Sequence, residues 1–177
     1  MSNPLAWAKY KWKHMVSELN DEFYRYVGEL LENEQIMQLD NFTHHHSFTR
    51  LGHSLDVAYV SFVIARFLKW DARSTARAGL LHDMFFYDWR DKSYEREGHH
   101  VSSHPLVAIE NAKRITILSK LEENIILRHM WLVTLIPPRY KEGYIVTFVD
   151  KACALHEGIV ALFSRRTKPR AITSVNW

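Results

Sequence analysis

In the stretch Ala78-Gly79-Leu80-Leu81-His82-Asp83-Met84 a histidine and an aspartate stand side by side at the end of an apolar helical run. A carboxylate in apolar surroundings is costly to bury without a partner, so the pair calls for a counter-charge. Successive helical residues differ by about 100° around the axis. His82 and Asp83 can therefore converge on one cation while the carboxylate still reaches a second. The chemistry this implies is metal ligation. His44-His45-His46 is weaker as a three-ligand group, because consecutive residues do not face one point.

The elements that must position the pair read as helices. Asn3-Pro4 predicts a helix start with proline in its first turn, followed at helical spacing by Leu5, Ala8, Trp12, Met15, Val16 and Leu19. Asn20-Asp21 predicts a second start, continued by Phe23, Val27, Leu30 and Leu31; these two helices are expected to brace the core. Residues 37–49 are broken and polar. The run Ser54 to Leu68 is apolar on most sides, which predicts a helix buried nearly all round, entered at His53. Asp71 predicts the cap of a helix over 72–83, whose small residues Ala76, Ala78 and Gly79 allow close packing. Phe85 to Trp89 is an aromatic segment enclosing Asp88, and 90–103 reads as a long charged loop. A helix opening at Ser102-Ser103-His104-Pro105 places His104 at its start, more firmly than His99 or His100 in the loop. Ser119 predicts the next N-cap, with Glu122 and Glu123 in the first turn and His129 near the end. A stiff turn, Pro137-Pro138-Arg139-Tyr140-Lys141, precedes a final helix from Glu142 through Asp150, Cys153 and Leu155.

In chain order the chemistry runs His53, within Arg50-Leu51-Gly52-His53-Ser54-Leu55-Asp56-Val57-Ala58, then His82-Asp83, then Asp150, within Thr147-Phe148-Val149-Asp150-Lys151. On this order residues 42–160 resemble the HD-domain metal-dependent phosphohydrolases, and the segment His82 to Trp89 is most similar to a group of small bacterial HD hydrolases. Adding His104 and His129 gives an order that resembles the binuclear subgroup. The resemblance implies an all-α HD-domain helical bundle with an N-terminal helical extension: a brace over 1–40, the core over 42–160 and a basic tail over 163–177. It implies one metal held by His53, His82, Asp83 and Asp150, and a second held by His104 and His129 with Asp83 bridging. His45, eight positions before His53, is implied to contact a ligand or phosphate. Arg50, one turn before His53, suits bidentate phosphate binding; Arg139 and Lys141 in the basic turn are candidate phosphate contacts, and Asp88 is the candidate acid or base. The Gly and Lys that many HD enzymes carry soon after the pair are missing from Met84-Phe85-Phe86.

Mixed imidazole and carboxylate ligation suits Fe, Mn, Co, Ni or Zn. The expected reaction is hydrolysis of a phosphomonoester or phosphodiester, a nucleotide or other small phosphorylated metabolite, by metal-activated water, with charge on the phosphoryl group neutralised by the second ion and Arg50. The same ligand order serves mixed-valence di-iron oxygenases, and a nonenzymatic regulatory domain is the third class.

The 177 residues suit one domain, and 47% hydrophobic with 24% charged residues is a globular composition. The single cysteine, Cys153, permits no internal disulfide. No apolar run reaches the roughly 18 residues of a membrane span, so a cytoplasmic location without membrane contact is expected. Of the net charge of +3, Arg165, Arg166, Lys168 and Arg170 supply four units beyond Phe163 with no acid among them. The basicity belongs to the tail, so nucleic-acid binding is not expected; a homo-oligomer is left open.

Overall fold

The computed structural model describes residues 4–44, 48–88 and 100–163. Among these, seven α-helices and one 3-10 turn appear, with no strand beyond two isolated bridges. His45, His99, Trp89 and the basic tail from Ser164 onwards fall outside the described residues.

Helix α1 runs unbroken over Pro4–Leu31, which corrects the expected restart at Asn20-Asp21. A capping side chain must turn back onto backbone N–H groups two or three residues ahead. Asn20 Oδ1 instead accepts from the Tyr59 hydroxyl at 2.7 Å, and the Glu22 carboxylate accepts from Arg66 Nε at 2.6 Å. Both groups reach across to α3, while Phe23, Val27 and Leu30 enter the common core. The broken stretch that follows holds α2 (Glu34–Gln38) and the 3-10 turn Leu39–Asn41, anchored by buried Ile36 and Leu39.

Helix α3 spans Arg50–Phe67, with the Thr49 hydroxyl accepting from Gly52 N–H, so His53 lies inside its first turn. It is not buried all round: Val60, Ile64, Phe67 and Leu68 are exposed along one side. The chain leaves α3 through Lys69 at φ 57°, with Trp70 N–H bonded back to Ala65 O at 2.8 Å, a C-terminal cap built without glycine. Helix α4 covers Ala72–Leu81, capped by Asp71. It stops before the expected Asp83, so His82 is the C-cap and Asp83 lies just beyond.

Helices α3 and α4 form the closest pair, because Gly79 lets the backbones meet. A Cβ at Gly79 would stand 2.9 Å from Ala58 Cα. Helix α5 spans His100–Ile115, starting before the expected Ser102 and keeping Pro105 inside. Helix α6 (Lys120–Arg128) opens with a full capping box between Ser119 and Glu122. The other Glu122 oxygen takes Arg77 Nε at 2.7 Å, and Arg77 also donates to Thr116 at 2.8 Å. This buried ion pair fixes α4 against the start of α6. Helix α7 (Lys141–Phe163) packs antiparallel to α3 and closes the bundle. None of the described helices is long and apolar enough to cross a membrane.

Gly79→Leu should lower the melting temperature, with a loss of about 1–3 kcal/mol for overpacking against backbone. Thermal unfolding followed by circular dichroism reads this directly.

Candidate metal centre

Five elements deliver side chains to one buried point. His53 comes from the start of α3, His82 and Asp83 from the end of α4, His104 from α5, His129 from the end of α6, and Asp150 from α7; each is at most 6% exposed. Asp150 Oδ1 lies 3.1 Å from His53 Nε2 and 3.7 Å from His82 Nε2. Asp83 divides its oxygens. Oδ2 is 3.8 Å from His82 Nε2, while Oδ1 is 3.3 Å from His104 Nε2 and 3.6 Å from His129 Nε2. The structure thus brings together all six residues expected as metal ligands, with the Asp83 carboxylate between the two halves.

Local backbone aims two of the rings. His82 and His129 are the C-caps of α4 and α6, and each Nδ1 lies 2.7 Å from the carbonyl oxygen three residues earlier, Gly79 and Ile126 respectively. A carbonyl can only accept, so each Nδ1 carries a proton and each Nε2 is the atom turned toward the centre. This is the orientation a metal-ligating histidine needs.

A carboxylate aims two more. Glu157 Oε1 accepts from His53 Nδ1 at 2.6 Å, and Oε2 accepts from His44 Nδ1 at 2.9 Å. The rings of His44 and His53 stack at 3.7 Å between centroids, and His44 Nε2 lies 3.5 Å from Asp83 Oδ2. Neither His44 nor Glu157 was among the residues expected from the sequence. Glu157 was findable, since it follows Asp150 by seven residues on one helix and so shares its face. His44 was not separable from its two neighbours by spacing.

Electrostatics favour ionised carboxylates here. Burial alone would raise the pKa of Asp83, but His82, His104 and His44 outweigh it and hold it well below the usual carboxylate range. Asp150 behaves likewise: burial opposes ionisation, and His53, His82 and Lys151 overcome it. Burial, reinforced by His82 and His104, pushes His129 down to about 3, so its ring stays neutral. A neutral imidazole among ionised carboxylates is a ligand set for a divalent cation.

The fit to a metal can be tested on the buried atoms themselves. His82 Nε2 and Asp83 Oδ1 are buried and make no hydrogen bond, a state that normally carries a penalty of 1–3 kcal/mol per group. Three ligand triads, His44/His53/Asp83, His53/His82/Asp150 and His82/Asp83/His129, each have their atoms within 4.8 Å of one another. Cations bound at about 2.1 Å from each donor would accept such spacings, so the residues fit the group.

The remaining expected residues are placed differently. Arg50 is fully buried, and its guanidinium donates to the carbonyls of Phe85 and Tyr87 while stacking 3.6 Å from the Phe85 ring centroid. It holds the aromatic segment against the centre. Asp88 is exposed. Arg139 is exposed beside Tyr140, and Lys141 lies over the Trp70 ring, lining a different groove. A cavity of about 230 Å³ opens onto the centre, lined by His44, Asp83, His104, His129 and Asp150 and by Lys151. Lys151, unforeseen from the sequence, sets its Nζ 2.5 Å from Asp150 Oδ2.

Residues 50–156 match the HD domain family, and with well over half of the chain matched the protein belongs to that family, whose members are typically metal-dependent phosphohydrolases. No curated protein and no solved structure matches the chain.

Glu157→Gln keeps the shape and weakens the orientation of two rings. Metal affinity is expected to fall about 10- to 100-fold, read by competition with a chromogenic chelator.

Proposed function

We propose that this protein is a metal-dependent phosphohydrolase that cleaves a phosphoester of a small phosphorylated metabolite, with nucleotides the first class to examine. The observation that carries the reading is the pair of buried, unbonded donor atoms, His82 Nε2 and Asp83 Oδ1, set where a cavity meets a lysine. When bound, divalent cations at this centre would supply Lewis acidity toward phosphoryl oxygens and lower the pKa of a nucleophilic water.

The chain's own residues do the rest. Asp83 serves both halves of the centre, one oxygen toward each, and His82 and His129 keep fixed orientations without help from distant parts of the fold. Lys151 lines the cavity beside Asp150 and is the cation proposed to receive a phosphoryl oxygen, a part expected of Arg50 from its place one turn before His53. Phe85, Met130 and Val133 complete the wall and limit water around the reacting group. A volume of about 230 Å³ holds a phosphoryl group and its first substituent, short of the roughly 300–1,000 Å³ of sites that enclose a whole ligand. The remainder of the substrate would project outward. In this reading Arg50 acts by shaping the wall, and Asp88, Arg139 and Lys141, which do not line the cavity, take no step.

Protein purified without air should carry about two transition-metal ions per chain, the occupancy a bridged two-ion hydrolase requires, and release phosphate from a panel of nucleotides and phosphodiesters. Asp83→Ala should abolish release, and Lys151→Ala should raise KM more than it lowers kcat. One ion per chain, unchanged by His104→Ala, would reduce the centre to His53, His82, Asp83 and Asp150. Substrate-dependent oxygen uptake without phosphate release would replace hydrolysis with oxygenation, which an imidazole-rich donor set also suits.

A further inference from the structure

Helix α7 has a second face that the metal centre leaves unused. Asp150 and Glu157 point inward, while Phe148, Ala152, Leu155, Ile159 and Leu162 are exposed on the opposite side. Their spacing alternates four and three residues, the seam of a coiled coil. No charged residue interrupts it. At its N-terminal end the seam joins the exposed side of α3, and the two helices flank an apolar groove of about 460 Å³ containing Ile64, Leu68, Tyr144 and Phe148.

We infer that α7 pairs with α7 of a second copy of this chain, antiparallel about a two-fold axis at Leu155. The seam is self-complementary in that register: Phe148 faces Leu162 of the second copy, Ala152 faces Ile159, and Leu155 meets its own counterpart. Ala152 leaves room for Ile159, and the C-terminal end of each seam enters the groove at the N-terminal end of the other, as an isologous contact requires. The exposed apolar side chains of α7 and adjoining α3 offer on the order of 1,000 Å² per chain, above the roughly 800 Å² per partner of a standard interface. A further observation concerns Gly158. A Cβ there would meet nothing within 4 Å, whereas one at Gly79 or Gly143 would collide with a neighbour. A helical glycine is destabilising beside alanine, and packing among the described residues gives no reason for this one. Gly158 flanks the seam, one turn from both Leu155 and Leu162, where the open space leaves room for side chains of a second helix.

Sedimentation equilibrium of the full chain over a concentration series should give twice the 20.9 kDa chain mass. Leu155→Glu, an exposed site whose change leaves the fold intact by circular dichroism, should give monomers by setting like charges together on the axis. Leu155→Lys should do the same, and mixing the two variants should restore a dimer. Wild-type monomers, dimers that Leu155→Glu leaves intact, or a mixture that stays monomeric would overturn the pairing. So would monomers that float with phospholipid vesicles, which would assign the seam to a membrane surface.

Discussion

Two carboxylates, Asp83 and Asp150, lie where bulk water scarcely reaches them, and the fold is arranged to keep them ionised there. An uncompensated buried charge is strongly destabilising, whereas one surrounded by donors is tolerated. The compensation here is a shell of imidazoles drawn from four helices and the loop before α3. Each packing contact that sets those helices therefore bears on the charge balance at the centre. The Gly79 contact fixes how close α4 comes to α3, and the Arg77–Glu122 pair fixes where α6 begins relative to α4. His82 and His129 then stand at the far ends of those two helices, at the same relative place in each.

Helix α7 shows how one element can carry two unrelated demands. Residues seven apart, Asp150 and Glu157, return to the same side of a helix after two turns, one facing the centre directly and the other gripping the histidines that do. The opposite side is apolar and exposed. A helix whose acids Asp150 and Glu157 face inward while Phe148, Leu155, Ile159 and Leu162 face outward inverts the usual order of a surface helix along this stretch. The inward charges are explained by the site, and the outward apolar seam needs its own explanation.

Much of this was legible in the sequence because it depends on local rules. The His82-Asp83 pair, the Asp71 cap and the Ser119 capping box all appear within a few residues of chain, and the structure contains each of them. The HD family match covers most of the region the resemblance picked out. What was hidden depends on partners distant in sequence. Asn20 looks like a helix start until Tyr59 takes its side chain. Arg50 looks like a phosphate ligand until the carbonyls of Phe85 and Tyr87 surround it. Among three consecutive histidines, His44 is picked out by Glu157, which lies 113 residues away. Spacing rules cannot see such pairings, because burial and tertiary hydrogen bonding decide them.

The contrast between the two ways of aiming a ring has a consequence for how the protein assembles. His82 and His129 are oriented by carbonyls three residues away, so that geometry arrives with helix formation itself. His53 and His44 are oriented by a carboxylate 104 and 113 residues away, and contacts of such long sequence separation form only after a large loop has closed. Two of the rings therefore need only local structure to be aimed. The other two wait for α7 to dock. Docking of α7 completes the ligand set, because that one helix brings both Asp150 and the carboxylate that orients His53 and His44.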